Sequence, residues 1–263
     1  MPWENPIRKQ LQEGKPVIGA TITVANADVA AHAAVMGFDF LWIETEHSPI
    51  TLESLRNMVL ATRGLPALPL ARVPVNEIWM AKRVLDAGVS GVIFPFTSSA
   101  DLARQAVAAC KYPPAGRRGS GAGLATHRWP VGEGYYDFAD RNFLVVTVVE
   151  EACAVDRIDE IAAVPGVDVI FIGTSDLSFS LGLRGRQDDP GLREAIRKVC
   201  AAARRHGKFA GRPAFPHGKI GEYIEQGFQF FQADTDLGLM AAGARRLLDP
   251  LGKKGAPDGE AAI

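Results

Sequence analysis

The stretch that decides the fold reads Phe143-Leu-Val-Val-Thr-Val-Val149, and Glu150 follows it directly. A nearly continuous apolar run of this length is typical of a parallel strand that is buried on both faces. An acidic residue beside a packed interior is costly unless a partner, a metal ion or water stabilises it. The stretch therefore predicts a buried strand whose carboxyl end carries polar, functional residues.

The same pattern recurs along the chain and predicts eight strands in all. They are residues 17–23, 38–44, 68–73, 91–96, 143–149, 167–173, 209–214 and 228–233. The amphipathic stretches between them predict helices. These are residues 28–36, 52–62, 78–86, 100–109, 154–163, 190–206, 218–226 and 237–248.

Strand and helix alternating eight times is typical of an α/β protein with a (β/α)₈ barrel in a single domain. We predict this barrel over residues 1–249 and a flexible tail over residues 250–263, which is rich in glycine and proline. A doubly wound open sheet is the alternative, because periodicity does not prove that a sheet closes. Residues 111–141 interrupt the rhythm, and loops of that length are usually functional or disordered.

Composition excludes several classes of protein. The 263 residues carry a formal net charge of −1, which gives no reason to expect a nucleic-acid or membrane-surface partner. The three cysteines are far apart and predict neither a disulfide framework nor a metal site. The first residues lack the apolar segment of a signal peptide, and no apolar run has the length of a membrane span. A cytoplasmic location is the expectation.

Polar residues whose burial beside a packed interior is unfavourable occur at the carboxyl ends of the predicted strands, where the active site of a barrel enzyme is built. They are Glu44, Glu46 and His47 after strand two, Arg72 in strand three, Glu150 and Glu151 after strand five, Ser175 and Asp176 after strand six, and Arg212 in strand seven. Their repetition at one end favours a site. Arg212 suggests either an anionic or polyhydroxylated acceptor molecule or a structural ion pair.

Glu150 and Asp176 suggest a metal site. Two carboxylates on neighbouring strands can hold Mg²⁺ or Mn²⁺, with water and substrate oxygens completing the octahedron. The alternative is that each acid begins a helix and interacts with the helix dipole. Spacing alone does not separate the two interpretations.

One segment and two single residues each have a functional and a structural interpretation. Backbone N–H groups of Gly173, Thr174 and Ser175 could bind a substrate carboxylate, or could be ordinary turn and cap residues. His47 could be a general acid and base, or structural. Arg72 could stabilise an enolate or carboxylate oxygen, or could form a salt bridge with Glu44. The absence of a lysine at the carboxyl end of any predicted strand disfavours a Schiff-base mechanism.

Four ordered motifs resemble the HpcH/HpaI family of class II pyruvate-dependent aldolases. They are Trp42-Ile-Glu-Thr-Glu-His47, Leu70-Ala-Arg-Val73, Tyr112-Pro-Pro-Ala-Gly-Arg-Arg-Gly119 and Phe171-Ile-Gly-Thr-Ser-Asp-Leu-Ser178. The resemblance spans residues 14–248. It implies a lyase that makes or cleaves 4-hydroxy-2-oxo acids from an aldehyde and the enolate of pyruvate or hydroxypyruvate, with Mg²⁺, Mn²⁺ or Co²⁺ as cofactor. It also implies a homohexamer in which the last helix is exchanged between subunits.

The resemblance assigns roles residue by residue. Glu150 and Asp176 match the metal ligands, His47 the acid and base, and Arg72 the enolate-stabilising cation. Gly173 and Ser175 match residues that lie against the substrate carboxylate.

Asp86 matches the partner of the histidine. Because it ends a predicted helix, however, it lies at the opposite rim of its own barrel. We therefore expect it to complete the site of a neighbouring subunit.

Some positions depart from the family pattern. Val148 stands where glutamine is common, and Glu44-Thr-Glu-His47 replaces Asp-Gly-Glu-His. The Gly-Pro-Ala-Asp turn reads Gly173-Thr-Ser-Asp176, and strand seven carries Arg212-Pro213. These changes leave the aldehyde partner open. A CoA-thioester lyase of citrate-lyase β type, an oxaloacetate decarboxylase and a catalytically silent metal-binding protein remain alternatives.

Overall fold

The chain folds into a closed barrel of eight parallel strands in the order of the sequence. This computed structural model describes residues 3–129, 131 and 134–253. The strands are β1 (Val17–Ile22), β2 (Phe40–Glu44), β3 (Leu68–Arg72), β4 (Gly91–Phe94), β5 (Leu144–Val149), β6 (Val169–Ile172), β7 (Phe209–Pro213) and β8 (Phe228–Thr235). Parallel pairing of β1 with β8 closes the sheet. The predicted barrel is confirmed and the open sheet is excluded.

Twelve helices are present among the described residues. They are α1 (Pro6–Gln12), α2 (Ala27–Ala33), α3 (Leu52–Ala61), α4 (Ile78–Ala87), α5 (Ala100–Cys110), α6 (Tyr135–Asn142), α7 (Ala152–Asp156), α8 (Ile158–Ala162), α9 (Thr174–Ser180), α10 (Pro190–Arg205), α11 (Ile220–Gln226) and α12 (Asp236–Leu248). Short 3₁₀ turns occur at Ala125–His127, His217–Lys219 and Asp249–Leu251.

Several helices begin where the sequence indicated. The side chain of Asn26 accepts hydrogen bonds at the start of α2, and Ser99 does so at the start of α5. Thr51 and Ser54 form a reciprocal capping box at the start of α3. These bonds satisfy N–H groups that have no partner within the helix.

Other elements differ from the prediction. The helices α1, α6 and α9 are absent from it, and the helix predicted over 154–163 is two short helices, α7 and α8. The 3₁₀ turn Asp249–Leu251 extends into the predicted tail of residues 250–263, of which residues 254–263 lie outside the described part of the chain.

The interrupting segment packs against the barrel over the residues that the structure describes. Arg118 is 1% exposed, and its Nη2 lies 2.9 Å from Oδ1 of Asp86 at the end of α4. The guanidinium carbon lies 4.6 Å from the ring centroid of Tyr112. A buried cation held by a carboxylate and an aromatic ring fixes this loop.

Aromatic residues fill the barrel. Phe40 and Phe230 stack with their centroids 4.4 Å apart, and Trp42 lies 4.9 Å from Phe171. A Cβ on Gly19 would lie 2.1 Å from the Phe40 ring, so a glycine is required there. Trp42 also lies close to a carboxyl-end residue, with its ring centroid 5.7 Å from the guanidinium carbon of Arg72. No helix in the described ranges has both the length and the apolar character to cross a membrane.

Candidate active site

Glu44 and Arg72 form a buried ion pair at the ends of two adjacent strands. The register of β2 and β3 places the two residues opposite each other. Oε2 of Glu44 lies 2.6 Å from both Nε and Nη2 of Arg72. Oε2 also accepts a bond of 3.2 Å from the indole N–H of Trp42. The side chains are only 3% and 13% exposed, so the guanidinium is held rigidly. The salt bridge with Glu44 raised as an alternative is therefore present.

Glu46 connects this pair to His47. Oε2 of Glu46 lies 3.2 Å from Nε of Arg72 and 3.7 Å from Nε2 of His47. That oxygen is buried and accepts no hydrogen bond from a described residue. Burial raises the pKa of Glu46 against the lowering effect of Arg72 and His47. The backbone N–H groups of Glu46 and His47 both donate to Oε1 of Glu44, which fixes the turn.

Glu150 lies directly after β5 with only 2% of its surface exposed. Its Oε1 accepts a bond of 2.6 Å from the backbone N–H of Phe96. Its Oε2 faces Gly173, where a Cβ atom would lie only 2.6 Å away. Burial raises the pKa of Glu150 to about 7; the Phe96 N–H lowers it, and the charges of Asp176 and Glu46 raise it.

Asp176, in the first turn of α9, is exposed but close enough to affect the pKa of both Glu150 and Glu46. The acidic oxygens at this end therefore repel one another. A hard divalent cation, which prefers carboxylate oxygens, would relieve that repulsion. The described residues contain no group of three or more His, Cys, Asp or Glu side chains suited to a metal. A site of two carboxylates, with the other positions taken by water and substrate, fits both the repulsion between the acidic oxygens and the lack of a larger ligand group among the described residues.

The segment predicted to bind a carboxylate begins α9 rather than forming an isolated turn. Thr174 is buried, and its carbonyl accepts a bond of 3.3 Å from Gln187. The carbonyl of Ser175 accepts a bond of 2.6 Å from the hydroxyl of Ser178. These bonds fix the backbone beside Gly173, whose missing Cβ gives room to the Glu150 carboxylate.

Asp86 and Arg212 lie outside this cluster in one chain. Asp86 is in the last turn of α4 and pairs with Arg118, so it lies toward the opposite rim. Arg212 lies against α11, with its guanidinium carbon 3.5 Å from the Tyr223 ring centroid. Burial lowers the pKa of Arg212. Within the described ranges no carboxylate pairs with Arg212, so the ion pair raised as an alternative is not formed there; its guanidinium packs against Tyr223 on α11 instead.

Phe96 is the site residue that the sequence did not indicate. It has a left-handed backbone, with φ of 46°, and its N–H holds Glu150. The next residue, Thr97, donates its N–H to the carbonyl of Val148 at 2.9 Å, which anchors the segment to β5. A phenylalanine between Pro95 and Thr97 gives no sequence signal for a left-handed conformation.

The chain is similar to known proteins over nearly its whole length. The sequence profile of the HpcH/HpaI aldolase/citrate lyase family matches residues 19–242. A protein of Salmonella arizonae named 5-keto-4-deoxy-D-glucarate aldolase is 32% identical over 251 residues, which are 95% of this chain and 98% of that protein. A hydroxypyruvate/pyruvate aldolase of Agrobacterium fabrum is 36% identical over 235 residues, which are 89% of this chain and 88% of that protein.

Solved structures show the same likeness. The crystal structure of an HpcH/HpaI aldolase/citrate lyase family protein from Burkholderia cenocepacia J2315 has a TM-score of 0.87 and 30% identity. The match covers 95% of this chain and all of that chain.

Proposed function

The chain belongs to the HpcH/HpaI aldolase/citrate lyase family, and we propose that it makes and cleaves 4-hydroxy-2-oxo acids through the enolate of pyruvate or hydroxypyruvate. The predicted family and lyase activity are confirmed, because relatives over most of the chain are named as aldolases. The observation that carries the proposal is the position of Arg72, His47, Glu150 and Asp176 together at the carboxyl end of one barrel.

We assign a divalent cation to Glu150 and Asp176. The family is in general dependent on a divalent metal, and Mg²⁺, Mn²⁺ and Co²⁺ are the candidates. When bound, such a cation acts as a Lewis acid that lowers the cost of enolate formation. The backbone around Gly173, Thr174 and Ser175 would lie against the carboxylate of the 2-oxo acid.

Arg72 and His47 then have separate tasks in the cleavage direction. His47 takes the proton of the C4 hydroxyl group, and the C3–C4 bond breaks as the C4 aldehyde forms. The bonding electrons become the C2–C3 double bond, and negative charge collects on the C2 oxygen. Arg72 stabilises that oxygen, because Glu44 and Glu46 hold its Nε and Nη2 in place. In synthesis the C3 carbon attacks the aldehyde carbon, and His47 returns the proton.

We propose that neighbouring subunits complete the site. Asp86 would reach the histidine of a second copy, because it lies at the opposite rim of its own barrel. The exchanged last helix is consistent with α12, which has no buried residue and exposes Leu237, Met240 and Leu247. The homohexamer and the cytoplasmic location remain predictions, to be tested by light scattering and by cell fractionation.

Exchange of the methyl protons of pyruvate in D₂O, followed by NMR, tests the proposal without knowledge of the aldehyde. We expect exchange with Mg²⁺ or Mn²⁺, and loss of exchange with EDTA or in Asp176→Asn. Asp156→Asn is the matched control, since that side chain is 82% exposed on α7. Exchange that persists in EDTA would contradict the metal assignment. Absence of exchange in the folded, metal-loaded protein would favour the thioester lyase or a silent binding protein.

A further inference from the structure

A cavity of about 310 Å³ lies beside the candidate site, between the segments that follow β3 and β4. One wall begins at Pro74, shortly after Arg72, and the other begins at Pro95. Phe96 lines the cavity, and its backbone N–H is bonded to Glu150. Phe96 therefore links the cavity wall to the carboxylate assigned to the metal.

The cavity contains a buried acceptor without a donor. Asn76 lines it and is 7% exposed. Nδ2 of Asn76 donates a bond of 3.0 Å to the carbonyl of Leu102. The backbone carbonyl of Asn76 accepts a bond from the side-chain amide of Gln105. Because Nδ2 faces a carbonyl, the other amide atom is the oxygen, and this Oδ1 receives no bond from a described residue. Buried acceptors of this kind are normally satisfied by a ligand or by water.

The remaining walls indicate what would satisfy Asn76. Val75 and Phe96 are 44% and 47% exposed, and with Leu102 they give the cavity an apolar side. Glu77 is the charged residue among those lining it, and none of the lining residues is basic. A negatively charged ligand is therefore disfavoured. The walls fit a small, uncharged molecule with an apolar side and a hydroxyl group.

We propose that this cavity binds the distal part of the aldehyde acceptor and selects uncharged hydroxyaldehydes, whose hydroxyl group donates a hydrogen bond to Oδ1 of Asn76. The inference rests on the proposed aldolase function, because the aldehyde carbon must reach the enolate beside Glu150. The volume is at the lower end of the range for small-molecule pockets, which suits a short acceptor.

The test compares D-glyceraldehyde with propanal, which lacks the hydroxyl groups, as acceptors for pyruvate. We expect Asn76→Ala to lower kcat/KM about tenfold for glyceraldehyde and to leave propanal nearly unchanged, since only the former loses a hydrogen bond. Asn57→Ala, on the exposed face of α3, is the matched control. No selective loss, or an equal loss for both aldehydes, would overturn the proposal.

Two measurements separate this inference from the function on which it rests. Pyruvate proton exchange needs no aldehyde, so Asn76→Ala should exchange at the wild-type rate. If the wild type shows no exchange, the aldolase function fails, and saturation-transfer NMR with glyceraldehyde alone decides the cavity. If wild type binds glyceraldehyde and Asn76→Ala does not, the assignment of the cavity is supported. If Asn76→Ala binds glyceraldehyde as wild type does, the assignment is contradicted.

A second variant guards against misfolding of Asn76→Ala. Val75→Trp, at a partly exposed position on the wall, should raise KM for both aldehydes without slowing pyruvate exchange. An unchanged KM would contradict the proposal. Light scattering on Val75→Trp gives a further check. If the variant changes the oligomeric state but not the aldehyde selectivity, the cavity is part of a contact between copies of the chain, and the proposal is overturned.

Discussion

A Cβ atom on Gly173 would lie 2.6 Å from Oε2 of Glu150, closer than such atoms approach in proteins. The glutamate cannot easily withdraw, because its Oε1 is held by the N–H of Phe96 at 2.6 Å. The end of β6 therefore determines where the Glu150 carboxylate lies. This close contact makes Gly173 a positioning residue for the assigned metal site.

Gly173→Ala should weaken Mn²⁺ binding at least about tenfold and destabilise the fold by about 1–3 kcal/mol, as overpacking does. Calorimetric titration and denaturant unfolding measure the two effects. Gly221→Ala is the control, since Gly221 lies in α11 with no atom within 4 Å of the added Cβ. That variant should be slightly more stable. Wild-type Mn²⁺ affinity in Gly173→Ala would remove Gly173 from this role.

The stability of the metal-free protein should depend on the protonation of Glu150. Its pKa is raised from 4.5 to about 7, so its stabilising contribution is complete below pH 4.5 and is lost as the pH rises through about 7. In EDTA, Glu150→Gln should therefore gain stability relative to wild type across this range, by at most about 3 kcal/mol. Unfolding in urea at several pH values measures the difference.

The same pair of proteins gives the control for that prediction. With Mn²⁺ present, wild type should be more stable than Glu150→Gln, because a cation favours the ionised carboxylate that glutamine lacks. A stability difference that does not change with pH in EDTA would show that Glu150 keeps an ordinary pKa.

Arg72→Ala should lower kcat by about 10²- to 10³-fold, the loss expected for a group that stabilises a developing oxyanion. It also leaves Glu44 buried without its partner, at a cost of about 3–5 kcal/mol. The double variant Glu44→Gln, Arg72→Ala separates these effects, because it removes the unpaired charge. It should recover stability but not turnover. Recovery of turnover with stability would make Arg72 a purely structural residue.

The subunit-bridging role of Asp86 can be tested by mixing variants. Asp86→Asn and His47→Ala should each be weakly active alone. If each site takes its histidine and aspartate from different chains, hetero-oligomers formed from equal amounts should contain about a quarter of intact sites. Activity that does not rise on mixing, with mixed oligomers verified by mass spectrometry, would place both residues in one chain or leave Asp86 a partner of Arg118 alone.

Much of the site could be predicted because strand periodicity is a local property. Glu44 and Arg72 each end a strand and Glu150 directly follows one, and the carboxyl ends of parallel strands meet at one rim. The direction of Arg212 could not be predicted. Its strand is apolar on both faces, so the sequence does not show which residues point into the barrel, and the tertiary structure turns Arg212 toward Tyr223.

The sequence by itself determined the alternation of eight strands with helices and most of the charged residues at the carboxyl ends of those strands, because alternating apolar runs and amphipathic stretches specify faces without reference to distant parts of the chain. The tertiary structure decided that the sheet closes, through the pairing of β1 with β8. Only the tertiary structure decided which atoms hold those residues. The bond from Phe96 to Glu150 joins residues 54 positions apart, and Gly173 approaches the same carboxylate from a third strand. Such contacts depend on the register of β4, β5 and β6 and on one left-handed residue, and no local pattern of side chains specifies either.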